Sequence, residues 1–411
     1  MCGVVGCNMT TAAAYLALVV TVICQQLAGA KKINYLHETF RDQSNNGIIN
    51  HFTLDANTGK VYIGAVNRLY QLTEHFHLEK TVTTGPRADS SYCPPAPTDP
   101  CECSNSNCDE YMKRPTPSIN KALLIDNVSQ KLLVCTNLYQ GHCERRDLKD
   151  ISKKRPDIWM PLVPNDATSS VVMFIAPGPR DKMVLYIAAT RSTEGNMKVY
   201  KDIIPAISSR LLNNFSIAYQ DVSTATKKDI ETQQKETFRV SYVYGFSSDG
   251  FSYFLSVQKD TIDSMNYVTR MIRVCQKDSH YYSYTEIPLE CHVNGTNYNI
   301  LVAAYVSKSG RDLARSLDLA DEPPFTDSEH VLFGVFAKSQ PNTDKVTNDS
   351  ALCVYSMREI RRKFTRNIQK CFKGLGNTGP AHIVKEILCV NVYKVSQALM
   401  VISSTWQRSL D

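Results

Sequence analysis

The sequence predicts an all-β protein built from an irregular hairpin repeat, the pattern of a β-propeller. Three observations carry this. The stretch from His51 to Leu72, HFTLDANTGKVYIGAVNRLYQL, reads as a short apolar run, an Asp/Asn/Gly turn cluster, and β-branched runs beyond it. Asn and Gly tolerate the positive φ of a tight turn, so the stretch predicts a hairpin with a third strand after Asn67 and Arg68. A lone hairpin is marginal in water and must stack on others. Second, the pattern recurs around Lys131–Cys135, Val184–Ala189, Phe251–Val257 and Val331–Phe336. With Ile63, Val134, Ile187, Leu255 and Phe333 taken as equivalent, the spacings are 71, 53, 68 and 78 residues. Third, 411 residues at 43% hydrophobic and 21% charged suffice for a sizeable core, with no low-complexity linker to divide them. The competing reading is an all-β protein of ordinary hairpins without a rotational repeat.

Taken in order, residues 31–47 read as a leader loop and 48–90 as the first repeat unit. The segment from Ser91 to Pro117 holds Cys93, Cys101, Cys103 and Cys108 among many prolines, and proline lacks the donor a central strand needs. Four cysteines are a candidate zinc set, but their spacing is irregular, and two local disulfides are preferred. The partner of Cys93, Cys101 or Cys103, stays open. Cys135 and Cys143 lie eight apart, a spacing suited to pinning a hairpin loop. Residues 213–238 and 308–328 are exposed insertions, the second weakly helical from Arg311 to Leu319.

The first 30 residues hold no charged side chain; an apolar core, Thr11 to Cys24, is followed by Ala28-Gly29-Ala30. This predicts a secretory signal peptide over 1–30, with an uncleaved anchor as the alternative. No other stretch approaches the length of a membrane span. Of the 14 cysteines, Cys2, Cys7 and Cys24 fall in that leader. The remainder fit an oxidising compartment. Asn-x-Ser/Thr sequons at Asn127, Asn214, Asn294 and Asn348 predict N-glycosylation on exposed loops. Together these features predict a secreted or extracellular glycoprotein. The net charge of +6 is mild and assigns no nucleic-acid partner.

Two motifs invite over-reading. In Arg358–Arg366, REIRRKFTR, the apolar Ile360, Phe364 and Ile368 share one helix face, so the cations are read as its solvated face rather than a heparin or acidic-partner patch. Gly374-Leu-Gly376-Asn-Thr-Gly379 spells G-x-G-x-x-G, but a cysteine loop precedes it and Pro380 follows, so it predicts a turn rather than a dinucleotide site. No G-x-S-x-G, H-E-x-x-H or Cys/His pair placed for nucleophilic work is present. The reading therefore assigns no enzyme activity, catalytic residue, metal or cofactor.

Several stretches together resemble the plexin Sema domain: Val61–Tyr70, Val82–Pro86 leading to Cys93, Asn120–Cys135, Gly141–Cys143 and Ile207–Leu211. Arg273–Cys275, Tyr281–Tyr284 and Ile287–Cys291 form the most specific block, and Ala351–Cys353 with Ile368–Gly374 extend the match to about 390. The Cys-Lys-Trp loop of semaphorins, which share the fold, is absent. The resemblance is nearest the A class of plexins, of invertebrate type. It implies a Sema-type seven-bladed β-propeller over 31–411 with helical and loop insertions, acting as a receptor in semaphorin–plexin signalling of the axon-guidance and cell-adhesion kind. Semaphorin is the implied partner, with homophilic plexin contacts besides and a membrane link only in a full-length form. The alternatives are a soluble semaphorin-like ligand or decoy and, more remotely, a propeller hydrolase.

The resemblance also implies disulfides Cys135–Cys143, Cys103–Cys108, Cys291–Cys353 and Cys371–Cys389, with Cys93 joined to Cys101 or Cys103. It leaves Cys275 as the unpaired candidate, because the cysteine expected a dozen residues beyond Cys389 is missing. From about residue 392 the chain is expected to diverge, and the propeller to be incomplete at its C-terminal blade with two apolar blade faces uncovered.

Overall fold

The second strands explain the architecture, because in the first four sheets nearly every position of that strand is buried rather than every other one. A strand of that kind is stable only if both faces are buried. The computed structural model describes residues 39–41, 48–96, 99, 101, 108–155, 159–195, 204–218, 237–317 and 329–372. The elements below all lie in one compact unit within residues 42–411.

Among the described residues five successive antiparallel meanders follow one another along the chain. The first sheet comprises β1 (Ile49–Leu54), β2 (Val61–Ala65), β3 (Arg68–Leu72) and β4 (Leu78–Thr83). A short ribbon, β5 (Arg87–Asp89) with β6 (Arg114–Thr116), leads to the second sheet. That sheet is β7 (Asn120–Asp126), β8 (Lys131–Thr136) and β9 (Cys143–Asp147). The third is β10 (Val171–Pro177), β11 (Met183–Ala189) and β12 (Ile207–Leu211). The fourth is β13 (Ser241–Ser248), β14 (Phe251–Lys259), β15 (Tyr267–Cys275) and β16 (Thr285–Pro288). A second ribbon, β17 (Cys291–Val293) with β18 (Thr296–Tyr298), precedes the fifth sheet. The fifth is β19 (Ile300–Lys308), β20 (His330–Ser339) and β21 (Val346–Ser356). Two helices accompany it, α1 (Arg311–Ser316) within the second expected insertion and α2 (Met357–Phe372) after β21.

The first strands pack in sequence, β1 on β7, β7 on β10, β10 on β13 and β13 on β19. Sheets arranged so around a common hub form a β-propeller. The five residues aligned as repeat equivalents, Ile63, Val134, Ile187, Leu255 and Phe333, each fall on the second strand of their own sheet. Side-chain parity divides these strands between neighbours. In β8, Leu132 and Val134 pack with Tyr62 and Leu69 of the first sheet, whereas Leu133 and Cys135 pack with Leu185 and Ile187 of the third. In β11, Val184, Tyr186 and Ala188 turn the other way, onto Phe254 and Ile272 of the fourth sheet. In β14, Tyr253, Leu255 and Val257 then face Leu301, Leu332 and Phe336 of the fifth. Gly245 of β13 marks a close approach between sheets, since a Cβ there would lie 2.6 Å from Val172 Cγ1 of β10.

α2 closes the fourth interface from the side with Met357, Ile360, Phe364 and Asn367 buried. Its buried stripe contains the expected Ile360 and Phe364, while the polar Asn367 rather than Ile368 completes it; Ile368 is only half-buried. Arg273 of β15 is held between the rings of Phe251 and Phe364, 4.4 Å from each centroid. Two apolar surfaces stay open to solvent. On the first sheet Phe52 is 74% exposed; on the fifth, Tyr305 is 64% and Leu352 61% exposed. The leader 1–30, most of the 213–238 insertion, the Gly374–Gly379 motif and the expected divergent tail from 392 lie outside the described residues.

Phe254, with no exposed surface, meets the Phe174 ring at a tilt and the Tyr186 ring edge-on at the interface of the third and fourth sheets. Phe254→Ala is expected to cost about 3–5 kcal/mol of unfolding free energy in chemical denaturation. Phe52→Ala, on the open surface, is expected to stay within about 0.5 kcal/mol of wild type.

A stapled polar rim as the candidate interaction site

The meander places the turns between second and third strands on one rim of the propeller. The β8–β9 turn, the β5–β6 ribbon with its loop, the segment before β10 and the connection after β11 line a cavity of about 280 Å³. Its floor is the turn from Asn137 to His142, between β8 and β9. The Cys135–Cys143 disulfide joins directly opposed residues at the turn's base. Tyr139, Gln140 and Gly141 all have left-handed backbone, with φ of 52°, 63° and 84°. For a residue with a side chain this costs on the order of 1–3 kcal/mol and persists only when the surroundings enforce it.

The enforcing contacts come from distant segments. Tyr139 N–H donates to Asp89 Oδ2 at 2.7 Å, Gln140 Nε2 donates to Cys93 O at 2.8 Å, and Asn165 Nδ2 donates to Gln140 Oε1 at 2.8 Å. Gly141 O accepts from Leu162 N at 2.9 Å. Position 141 must be glycine for a second reason: a Cβ there would sit 1.6 Å from Val163 O. One wall of the cavity is the loop after β5, with Cys93 bonded to Cys101 and the Tyr92 and Tyr111 rings 5.6 Å apart. Glu110 and Arg114 stand on the rim. Burial pushes the Asp89 carboxyl above its usual range, outweighing the Tyr139 and Ser90 N–H groups that favour the anion.

Behind this rim a buried polar hub ties three sheets together. Asp166 accepts from Ser169 N at 2.6 Å, Ser169 Oγ at 2.5 Å, Thr168 N at 2.8 Å and Thr193 N at 3.1 Å. Burial raises its carboxyl, but the Ser169, Thr193 and Ser192 donors together outweigh burial and hold it below the usual carboxylate range. Lys121 of β7 donates from Nζ to the carbonyls of Asp166 at 2.7 Å and Ser169 at 2.6 Å. Burial lowers the Lys121 ammonium below the usual lysine range, against the opposing charge of Asp166. Arg239, just before β13, donates to Ser169 Oγ at 3.1 Å. Burial, then the Asp166 charge, raises Glu194 on the cavity wall. The arrangement offers a rigid, anionic, hydrogen-bonding concavity. It can receive a cationic or amide group, and among the described residues no group of three His, Cys, Asp or Glu is placed to hold a metal ion.

The residues singled out from sequence are distributed rather than gathered. Cys93–Cys101 and Cys135–Cys143 lie at this rim, while Cys291–Cys353 ties the second ribbon to β21. Cys108 is disulfide-bonded. Cys103, Cys389 and the side chain of Cys371 lie outside the described residues. Cys275 is a free, buried thiol whose N–H donates to Ser283 Oγ at 2.9 Å, and burial pushes the thiol up. Asn127, Asn214, Asn294 and Asn348 are all exposed. Asp89, Gln140, Asn165 and Asp166 are absent from the sequence-derived set. Asp166-Ala-Thr-Ser169 is a side-chain-capped turn in retrospect, but Asp and Ser in a loop are too common to point to it.

Residues 301–392 match the Sema domain. The chain is 32% identical over 394 residues to Plexin-A4 of Danio rerio, covering 89% of this chain and 20% of that protein. It is 31% identical over 365 residues to Plexin-A2 of Mus musculus, covering 83% and 18%. The chain thus spans about a fifth of the length of the curated relatives it matches. Among solved structures it superimposes on the full extracellular region of plexin A4 with a TM-score of 0.72 at 30% identity, covering 86% of this chain and 39% of that one. Drosophila Semaphorin 1a, extracellular domains 1-2, shares the fold with a TM-score of 0.50 at 16% identity, covering 86% and 60%.

Asp166→Asn keeps the shape but removes the charge addressed by the four donors above and by Thr168 Oγ1 at 3.0 Å. It is expected to lower stability at neutral pH by about 2–3 kcal/mol. Because the native carboxyl is held below its unfolded value of 3.8, the wild-type advantage is complete above about pH 5 and is lost as pH falls through 3.8 toward the native value. Denaturation of both proteins from pH 7 down to pH 3 checks this: the gap between them is expected to narrow on acidification.

Proposed function

The chain carries a Sema domain of the plexin type, and on that premise we propose that it is the semaphorin-binding propeller of an extracellular receptor. The observation that carries the reading is the likeness to the plexin A4 extracellular region, in sequence and in fold together, across most of the chain. The physical character of the surface supports it. Stapled turns, left-handed backbone enforced from distant segments and buried charged hubs make a rigid rim, which lowers the entropy lost when two proteins dock. The domain acts by recognition, with semaphorin as its ligand and without chemistry of its own. Residues 1–30 direct secretion, and the propeller domain occupies residues from 31 onward. No helix among the described residues is long and apolar enough to cross a membrane.

Asn127, Asn214, Asn294 and Asn348 carry N-glycans in this reading, since each is exposed. Peptide-N-glycosidase treatment of the secreted chain is expected to release mass from all four, read by deamidation to Asp at each site. For the ligand, purified full-length chain passed over an immobilised semaphorin Sema domain is expected to give saturable binding. A sample with a cooperative thermal transition and no binding to any semaphorin class would overturn the proposal.

A further inference from the structure

We propose that the outward face of α2 binds a linear sulfated polysaccharide. The basic run Arg358–Arg366 divides into two sets once its partners are visible. Arg358 pairs with Glu329, Arg361 with Asp249 and Arg362 with Glu359, so these three hold the helix to its surroundings or to itself. Lys363, Arg366 and Lys370 form the second set. All three are exposed. Their spacing of three and four residues places them on one stripe of the helix. At 1.5 Å per residue the stripe extends about 10 Å.

Lys363 makes one contact, from Nζ to Pro288 O at 3.3 Å; Arg366 and Lys370 have no ion pair among the described residues. The exposed side chains that flank the stripe, Thr365 and Gln369, are uncharged. Glu359 is the one acidic residue on the helix and is already engaged by Arg362. A convex row of unneutralised cations suits a ligand that presents several anions along a line, since each cation that replaces a mobile counterion adds to the affinity. The other linear or planar polyanions fit less well. The stripe carries no apolar side chain to enter a bilayer. It carries no aromatic ring on which the bases of a single strand would stack. Phe364, the one aromatic residue in its middle, is fully buried on the opposite face.

The test uses the full chain on immobilised heparin, with stepwise salt. Wild type is expected to bind, with an affinity falling steeply as salt rises. The variant Lys363→Ala/Arg366→Ala/Lys370→Ala is expected to bind at least about tenfold more weakly and with a shallower salt dependence. A control removing three exposed lysines elsewhere, Lys182→Ala/Lys277→Ala/Lys345→Ala, is expected to bind as wild type does, and both variants are expected to melt as wild type does. Undiminished binding by the α2 variant, or an equal loss in the control, would overturn the proposal. So would equal binding to desulfated heparin, poly-glutamate, single-stranded DNA or anionic vesicles, each of which would assign the stripe to a different ligand or to none.

Discussion

The propeller depends on one constraint: the second strands of the first four sheets are buried along nearly their whole length and have to be covered on both faces. No single sheet can meet that demand. β8 divides its side chains by parity between the first and third sheets, and β11 between the second and fourth. The second, third and fourth sheets are therefore each a shared wall of two cores, and the interfaces accumulate around the hub rather than at one centre. Because removing a buried side chain from one wall leaves the opposite face packed, damage at one interface stays local in geometry while reducing the stability of the whole.

That constraint also governs how far the fold could be read from residues alone. Strands buried on both faces are dense in apolar residues, which is why Ile63, Val134, Ile187, Leu255 and Phe333 mark the second strands in the sequence, although β14 hides polar Ser252, Ser256 and Gln258 among them. The outer strands were harder. β4 is exposed along nearly its whole length and reads as LEKTVT, a sequence that fits an edge strand or a loop equally well. α2 was legible through its 3.6-residue period, but a period gives a face and not its centre; the buried stripe passes through Asn367 because the helix is oriented by Phe364 against Tyr253 and Arg273. The polar rim was almost illegible. Its decisive contacts join Asp89 to Tyr139 and Cys93 to Gln140, some 50 positions apart, through residue types that any loop contains.

Charge in this domain works in two distinct ways. At Asp166 and Lys121 it is buried, saturated with hydrogen bonds and structural: the carboxylate organises the turn before β10, and the ammonium gathers that turn's carbonyls onto β7. Along α2 it is solvated and available. Sequence composition cannot separate these roles, because a lysine in a basic run and a lysine under a loop contribute the same unit to the net charge. Burial and partners separate them.

The left-handed turn at Tyr139 to Gly141 depends on contacts about 50 residues away in sequence, so the rim is expected to order late in folding. The disulfide at its base joins cysteines that are neighbours in register and can close as soon as β8 meets β9. The backbone above it relaxes to its native conformation only when Asp89 and Cys93 arrive from one side and Leu162 and Asn165 from the other. Closure of loops of that length follows rather than precedes the docking of the sheets that carry them. The turn thus behaves as a latch, and a chain emerging with that latch shut has already brought three walls of its ring together.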